Sequence, residues 1–366
     1  MNFIDLQKQY QAYKPEIDEA IRNVVESAGF IMGPAVKQLE QELAAYTTAK
    51  HALTCSSGTD ALILGLLAYA IQPGDEIITS PFSFIAAAEA IAFLKAKPVF
   101  ADIDPRTYNI DPEKIPAAIT EKTRGIIAVD IFGQCADYDE LSSIARQYDL
   151  FLIEDAAQSF GALYKEKKAC SFGDISCTSF FPAKPLGCFG DGGALFTNNA
   201  ELAQTISSLR VHGKGSHKYE HIHIGINGRL DAIQAAVLSV KLRHYDDEIQ
   251  KRQAVAEIYN NGLDIPQVKT PVVEEHNLSV YAQYVIQAEH RDELASFLKK
   301  KDIPTAIHYP MPLHLQPALN SCGYAAGDFP IAKDLCERVL ALPMHAFLEK
   351  GEQEAIITAV KEFYGT

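Results

Sequence analysis

Between residues 50 and 200 short apolar runs alternate with helical patterns, and this alternation leaves the chain few folds to choose from. "EIITS" (76–80), "KPVFADI" (97–103), "RGIIAVDIF" (124–132), "DLFLIED" (149–155), "ISCTSFF" (175–181) and "GALFTN" (193–198) read as strands. Residues 83–94 and 138–148 read as helices between them. Strands separated by helices pair in a mainly parallel sheet covered on both faces, an α/β arrangement. Ligands of such sheets gather at the carboxyl ends of the strands.

A chain of 366 residues, 48% of them hydrophobic, can bury a large core and build two domains. The polar helical stretch "YDDEIQKRQAVAEIYNN" (245–261) reads as the hinge, dividing residues 1–245 from a smaller domain of 246–366. That second unit shows a strand at 280–288 and helices near 291–301, 330–340 and 351–363. The formal net charge of -14 repels nucleic acid and anionic membranes, so neither is expected as a partner. The amino terminus has no apolar signal-like stretch, and the longest apolar run, 61–71, is too short to span a bilayer. A cytoplasmic protein is expected. Seven cysteines without a C-x-x-C pair read as reduced, buried thiols.

Three features share the strand-end geometry. In "TCSSGTDALILGL" a strand ending at Thr54 runs through Ser56, Ser57, Gly58 and Thr59 into a helix. Backbone N–H groups at such a helix start make an anion site, although the same residues also make an ordinary helix cap. In "FLIEDAAQSFGA" the strand closes on Glu154 and Asp155, which should reach the ligand edge. A buried carboxylate there needs a partner, and a protonated heterocyclic nitrogen would be one; a capping aspartate is the plainer alternative. In "SFFPAKPLGCFGDGG" Lys184 sits between two prolines, behind two phenylalanines and ahead of a run of glycines. Partial burial and a nearby cation would lower its pKa from about 10.4 and make the amine nucleophilic; a snorkelling surface lysine is the alternative.

Together the three describe pyridoxal phosphate, which needs an anion cradle, a carboxylate for its ring nitrogen and a lysine for a Schiff base. Ser179, five residues before Lys184, could add a phosphate hydroxyl. Phe84, in "SPFSFIAAAEA", could stack on the ring or belong to the core, and Gln158 follows Asp155 by three residues.

The chain resembles the DegT/DnrJ sugar aminotransferases nearly end to end. The blocks that carry the likeness are "SSGTDAL", "PGDEIITSPFSF", "ADIDPRTYNID", "IEDAAQSFGA", "TSFFPAKPLGCFGDGGALFTN", "VHGKG", "GINGRLDAIQAAVL" and "IHYPMPLHLQPA". The resemblance implies the fold-type I architecture of aspartate aminotransferase, with a large cofactor-binding domain, a smaller C-terminal α/β domain, and first residues packing near the latter. It implies that Lys184 carries the cofactor, that Asp155 pairs with the pyridine nitrogen and that Gln158 touches the ring near its 3′-oxygen. Gly58, Thr59 and Ser179 would hold the phosphate, and Asn227 would reach the phosphate of the other subunit of a homodimer with shared sites. Where this chain has Phe84, relatives often carry Tyr or Trp, so stacking survives but a hydroxyl contact does not.

Within the family, "DIFGQCADYDEL", "SVYAQYVIQ" and "PTAIHYPMPLHLQPA" resemble enzymes that aminate C3 of UDP-2-acetamido-2-deoxy-3-oxo-glucuronate, with L-glutamate as donor, for surface polysaccharide such as O-antigen. An enzyme aminating C4 of a 4-keto-6-deoxy sugar would differ only in its substrate pocket. A sugar dehydratase of the same family would carry histidine at position 184, and a non-catalytic regulator would have no need of Lys184 or Asp155. The nucleotide sugar is a polyanion, and Arg229, His308 and Tyr309 are candidates to receive it. Arg229 could instead be held in a salt bridge to Asp231 or a neighbour, and His308 could be a satisfied histidine at the domain seam. The histidines of "VHGKGSHKYEHIHIG" lack a completing carboxylate or thiol pattern, so no metal site is expected and the stretch reads as a mobile loop over the active site.

Overall fold

A computed structural model describes residues 1–365; Thr366, the last residue of the expected small domain, lies outside the described residues. The strands follow the apolar runs: β1 (His51–Cys55), β2 (Glu76–Thr79), β3 (Lys97–Phe100), β4 (Thr123–Val129) and β5 (Phe151–Asp155), then the two-residue β6 (Leu163–Tyr164) and β7 (Lys167–Lys168), then β8 (Ile175–Ser179) and β9 (Gly193–Thr197). Seven of them form one sheet in the order β1-β9-β8-β5-β4-β2-β3. All neighbours pair parallel except β9, which runs antiparallel to both β1 and β8. Every residue of β2 and β9 is buried, as expected of strands covered on both faces.

The runs end where local geometry stops the pleat. Residues 124–132 read as one strand, but β4 stops at Val129 because Phe132 takes a left-handed φ of 58°. The strand expected over 280–288 is shorter for the same reason: Tyr281 has a φ of 45°, and the strand begins at Tyr284.

Helices α1 (Leu6–Ser27) and α2 (Pro34–Thr47) precede the sheet, and neither is among the expected elements. With α3 (Gly58–Ala68), α4 (Ala86–Phe93), the short α5 (Ile115–Ala118), α6 (Tyr138–Gln147), α7 (Ala200–Leu209) and α8 (Ala232–Arg243) they cover the sheet. One face packs Leu39, Leu43, Leu141, Phe160 and Leu238; the other packs Leu62, Leu66, Ile91 and Ile206. Burying such side chains stabilises by about 1.5–3 kcal/mol each, an upper bound because unfolded chains already bury some surface.

The stretch expected to be a hinge is a continuous helix, α9 (Tyr245–Gly262). Its first turns place Tyr245 and Ile249 in the core of the large sheet, and its later turns place Val255, Ala256 and Tyr259 in a separate cluster. That cluster lies around β10 (Val268–Lys269), β12 (Tyr284–Ala288), β13 (Val339–Leu342), α10 (Arg291–Lys300) and α12 (Lys350–Tyr364), with α11 (Pro330–Arg338) alongside. The intervening β11 (Asn277–Leu278) pairs back with β6, beside the large sheet. At the other terminus Phe3 accepts a bond from Met344 N–H (3.3 Å), and Lys8 pairs with Glu349 (2.8 Å), so the first residues lie against the C-terminal unit.

Arg210, at the end of α7, is buried and ties three elements together. It donates to Glu40 of α2 (2.5 Å) and to the carbonyl of Thr54 in β1 (2.7 Å), while Glu40 also accepts from the N–H and hydroxyl of Thr54. Arg210→Ala leaves that carboxylate without its cation and should cost about 3 kcal/mol of unfolding free energy. Urea denaturation measures it, and a loss below about 1 kcal/mol would show that the pair is solvated.

Candidate active site

The register of three strands builds the site. Gly193 of β9 lies opposite Cys55 on one side and Ser179 on the other. A methyl group on Gly193 would come within 2.4 Å of the Ser57 carbonyl, and one on Gly58 within 2.6 Å of the Ser179 side chain. The start of α3 and the end of β8 therefore touch, and only glycine allows it. Ser57 caps α3, its hydroxyl accepting from Asp60 N–H (3.0 Å). The N–H groups of Gly58 and Thr59 in the first turn have no intrahelical acceptor and carry the positive end of the helix dipole. The free N–H groups of Gly58 and Thr59 and the side chain of Ser179 therefore lie at one edge of the sheet, an arrangement that could receive an anion.

On the strand next to β8 Asp155 closes β5, buried, with one carboxylate oxygen accepting from Ala157 N–H (3.1 Å). Burial raises its pKa, against the pull of that N–H and of the Lys184 charge. Lys184 is half-buried on the loop between β8 and β9, its N–H bonded to the Phe181 carbonyl (2.8 Å). Desolvation lowers the pKa of its amine and the charge of Asp155 opposes the shift.

Gln158 is fixed at its carbonyl end, which accepts from Phe132 N–H (2.9 Å), so its NH2 faces the hydroxyl of Tyr309 (3.4 Å). The Tyr309 ring packs edge-on to Phe82, and its hydroxyl also meets the main chain of Phe84. His308 precedes it; burial lowers its pKa, and so does the charge of Lys184. His308 and Tyr309, from the C-terminal part of the chain, therefore lie within electrostatic reach of Lys184 and Asp155. Phe84 is 56% exposed, so it is no part of the core of this chain. Asn227 is exposed on a short antiparallel bridge to Val211, and no bond joins it to Gly58, Thr59 or Ser179 within the chain. Arg229 is half-buried and makes no ion pair or hydrogen bond with any described residue, Asp231 included. His221 and His223 are exposed, His221 holds the His212 carbonyl (2.8 Å), and among the described residues no cluster of metal-ligating side chains occurs.

Glu154 departs from its expected place at the ligand edge. Strand alternation turns it to the other face, where it accepts from Cys170 N–H (2.7 Å) and Phe172 N–H (3.0 Å). Asp130 went unnoticed in the sequence, although it follows the apolar β4 just as Asp155 closes β5. It accepts from Ser159, Ala136 N–H and Tyr138, bracing the loop that carries Gln158. Burial pushes the pKa of both Glu154 and Asp130 up.

The sequence pattern of the DegT/DnrJ/EryC1/StrS aminotransferase family matches residues 11–361. The chain belongs to this family. It is 46% identical, over 98% of its length and 99% of the relative's, to the UDP-2-acetamido-2-deoxy-3-oxo-D-glucuronate aminotransferase of Pseudomonas aeruginosa. It is 44% identical, over 99% of its length and 98% of the relative's, to a protein of Geobacillus stearothermophilus named a pleiotropic regulatory protein. A crystal structure of a DegT DnrJ EryC1 StrS aminotransferase from Brucella abortus superposes over the whole of both chains, with TM-score 0.98 and 43% identity.

The protein is thus a fold-type I aminotransferase whose cofactor is pyridoxal phosphate. Its residues fit that group: an anion cradle in which a single added methyl would clash, a desolvated amine and a buried carboxylate meet at neighbouring strand ends. Among the described residues no helix is long and apolar enough to cross a membrane.

The depressed pKa of Lys184 has a chemical consequence. Its free-base form accumulates as pH rises, below the ordinary lysine titration near about 10.4. Competitive acetylation of cofactor-free protein across pH, read by peptide mapping, should give Lys184 a midpoint below that value. A midpoint at or above it would mean that the amine is solvated.

Proposed function

We propose that this enzyme moves the amino group of L-glutamate onto C3 of a UDP-linked 3-keto sugar, UDP-2-acetamido-2-deoxy-3-oxo-glucuronate, and so supplies a 3-amino sugar for surface polysaccharide. The observation that carries the chemistry is the placement of the desolvated Lys184 amine within electrostatic reach of the buried carboxylate of Asp155, beside the glycine-tight start of α3. The choice of sugar is supported by the relative that acts on it and by the unpaired Arg229.

Pyridoxal phosphate supplies an electron sink for the negative charge that develops at the reacting carbon. Gly58, Thr59 and Ser179 hold its phosphate through helix N–H groups and a hydroxyl. Asp155 keeps a proton on its ring nitrogen, and that positive charge offsets the desolvation of the carboxylate. Gln158 flanks the ring near its 3′-oxygen, and Phe84 offers an exposed aromatic face for stacking. Lys184 is the covalent anchor. Its free amine would take the proton from the α-carbon of glutamate and, in the second half-reaction, would give a proton to C3 of the sugar. His308 and Tyr309 bound the site from the C-terminal side.

The site belongs to a homodimer. Phe30, Ile31, Phe84, Phe181, Tyr219, Ile222 and Ile224 are all exposed, Ile224 by 92%, and so much apolar surface suits burial against a second copy. In that assembly Asn227 reaches the phosphate of the partner's cofactor. The proposed reaction places the enzyme in the cytoplasm, where nucleotide sugars are made. A non-catalytic regulator would have no use for a desolvated lysine opposite a buried aspartate.

Borohydride reduction of the loaded enzyme should place the pyridoxyl label on Lys184, and Lys184→Ala should fold without acquiring it. Label on any other lysine would remove the assignment. Asp155→Asn should still bind cofactor but turn over at least about a hundredfold more slowly, the scale of losing one preorganised electrostatic group. Turnover close to wild type would mean that another group holds the nitrogen.

Arg229→Ala tests the substrate. A carboxylate buried without a cation costs several kcal/mol, so the variant should weaken the keto-uronate selectively, by about 2–5 kcal/mol, and spare the glutamate half-reaction. Stopped-flow measurement of the two halves separates the outcomes. Equal losses in both would assign Arg229 to the donor carboxylate or to the fold.

A further inference from the structure

Lys241 lies on α8 among apolar neighbours and is 2% exposed. Its ammonium donates to the carbonyl of Gly187 and lies 5.8 Å from the centre of the Phe189 ring. Burial pushes its pKa down to about 8, although Glu248 across the gap works against the shift. Glu248 is itself buried on α9 and accepts two bonds from the Gln9 amide of α1 (3.0 and 2.9 Å) and one from the Tyr13 hydroxyl. For stability alone the arrangement is poor, since a well-packed apolar side chain in place of a buried charge is often neutral or better.

Its target explains it better. Gly187 lies three residues beyond Lys184 on the return limb of the same loop. That loop is folded hard on itself: a methyl on Gly187 would come within 2.5 Å of the Pro182 carbonyl and 2.6 Å of that of Phe181. Cys188 N–H bonds the Phe180 carbonyl (2.8 Å), and Lys184 N–H bonds that of Phe181. With the limbs in contact, fixing Gly187 fixes the main chain of Lys184. Two side chains of α8 grip this limb from outside: Lys241 at Gly187, and Gln234, which accepts from Phe189 N–H (2.8 Å). α8 is in turn packed into the core of the large sheet through Ala235 and Leu238.

We propose that Lys241 is a positioning residue for the reaction, clamping the return limb of the Lys184 loop to α8 so that the Lys184 amine is held at a fixed reach from Asp155. The clamp touches neither substrate nor cofactor and lies apart from the phosphate cradle. It rests on the reading of Lys184 as the cofactor-bearing lysine.

The test uses the holoenzyme with Lys241→Met, which fills the volume without a donor, and Lys241→Arg, which restores one. Displacing a reacting group by about 1 Å costs on the order of a hundredfold in rate. Lys241→Met should therefore lose about tenfold to a hundredfold in kcat with KM for glutamate nearly unchanged, since the cradle is intact. The pH midpoint of its visible absorbance should move, and Lys241→Arg should recover most of both. The thermal midpoint of the cofactor-free proteins separates this from a role in folding alone. A Lys241→Met enzyme with wild-type kcat and pH midpoint overturns the clamp, and so does an equal loss in Met and Arg variants that tracks the thermal midpoint. If Lys241→Met does not accumulate as folded protein, Lys241→Gln, which is neutral and shorter, is judged by the same measures. Borohydride mapping of the wild type keeps the two readings apart: label away from Lys184 overturns both, whereas label on Lys184 beside an unaffected Lys241→Met overturns only the clamp.

Discussion

The end of β1 and the end of β8 are held one strand apart by Gly193, and the rest of the site is arranged around that separation. β9 is the one antiparallel strand of the sheet. Inserted between β1 and β8, it brings the capped start of α3 and the hydroxyl of Ser179 to the same edge. No side chain can be added at Gly193 or Gly58 without pushing these elements apart. Because β5 pairs with β8, with Asp155 opposite Cys177, the carboxylate falls on that edge too, one strand over. A single register thus sets the spacing between anion cradle and carboxylate, and the loop leaving β8 brings the amine to both.

This dependence explains why some of the site could be read in the sequence. Strands that are buried on both faces announce themselves as apolar runs, and ligand groups collect just beyond their carboxyl ends. On that ground Ser57–Gly58–Thr59, Asp155 and Lys184 stand out as candidates, each with a plainer alternative that only their combination weighs against. Which of two adjacent carboxylates faces the ligand could not be read. Alternation sends Asp155 one way and Glu154 the other, but the strand's phase is set by packing against α6 and α8, not by the run itself. The same limit hid Lys241, an unremarkable lysine in "LSVKLRHY" until its carbonyl partner, 54 residues earlier, is brought beside it.

The division of the chain illustrates a second limit. The polar helical stretch at 245–261 reads as a hinge. Yet α9 buries Glu248 and Arg252 along with Tyr245 and Tyr259, and the helix belongs to the large sheet at one end and the C-terminal unit at the other. Arg252 meets its bonds at the carbonyls of Tyr281 and Met344, so even its charge serves to join elements. Polar residues in a pattern say where water could be, and tertiary structure decides whether it is.

That use of charge gives Arg229 its meaning. In a protein of net charge -14, buried arginines find anionic or carbonyl partners with ease, and they have done so here. Arg210 has Glu40, Arg252 has its carbonyls, and Arg291 binds Asp292 and two carbonyls. The other arginines that make no ion pair or hydrogen bond with the described residues, Arg22, Arg124 and Arg146, are exposed and need none. Arg229 alone among them is half-buried, two residues beyond Asn227. A half-buried guanidinium with no protein partner is open to an incoming anion. The acidic surface discourages anions in general, so the attraction for a polyanionic sugar has to be local, and on the reading proposed above Arg229 would supply it.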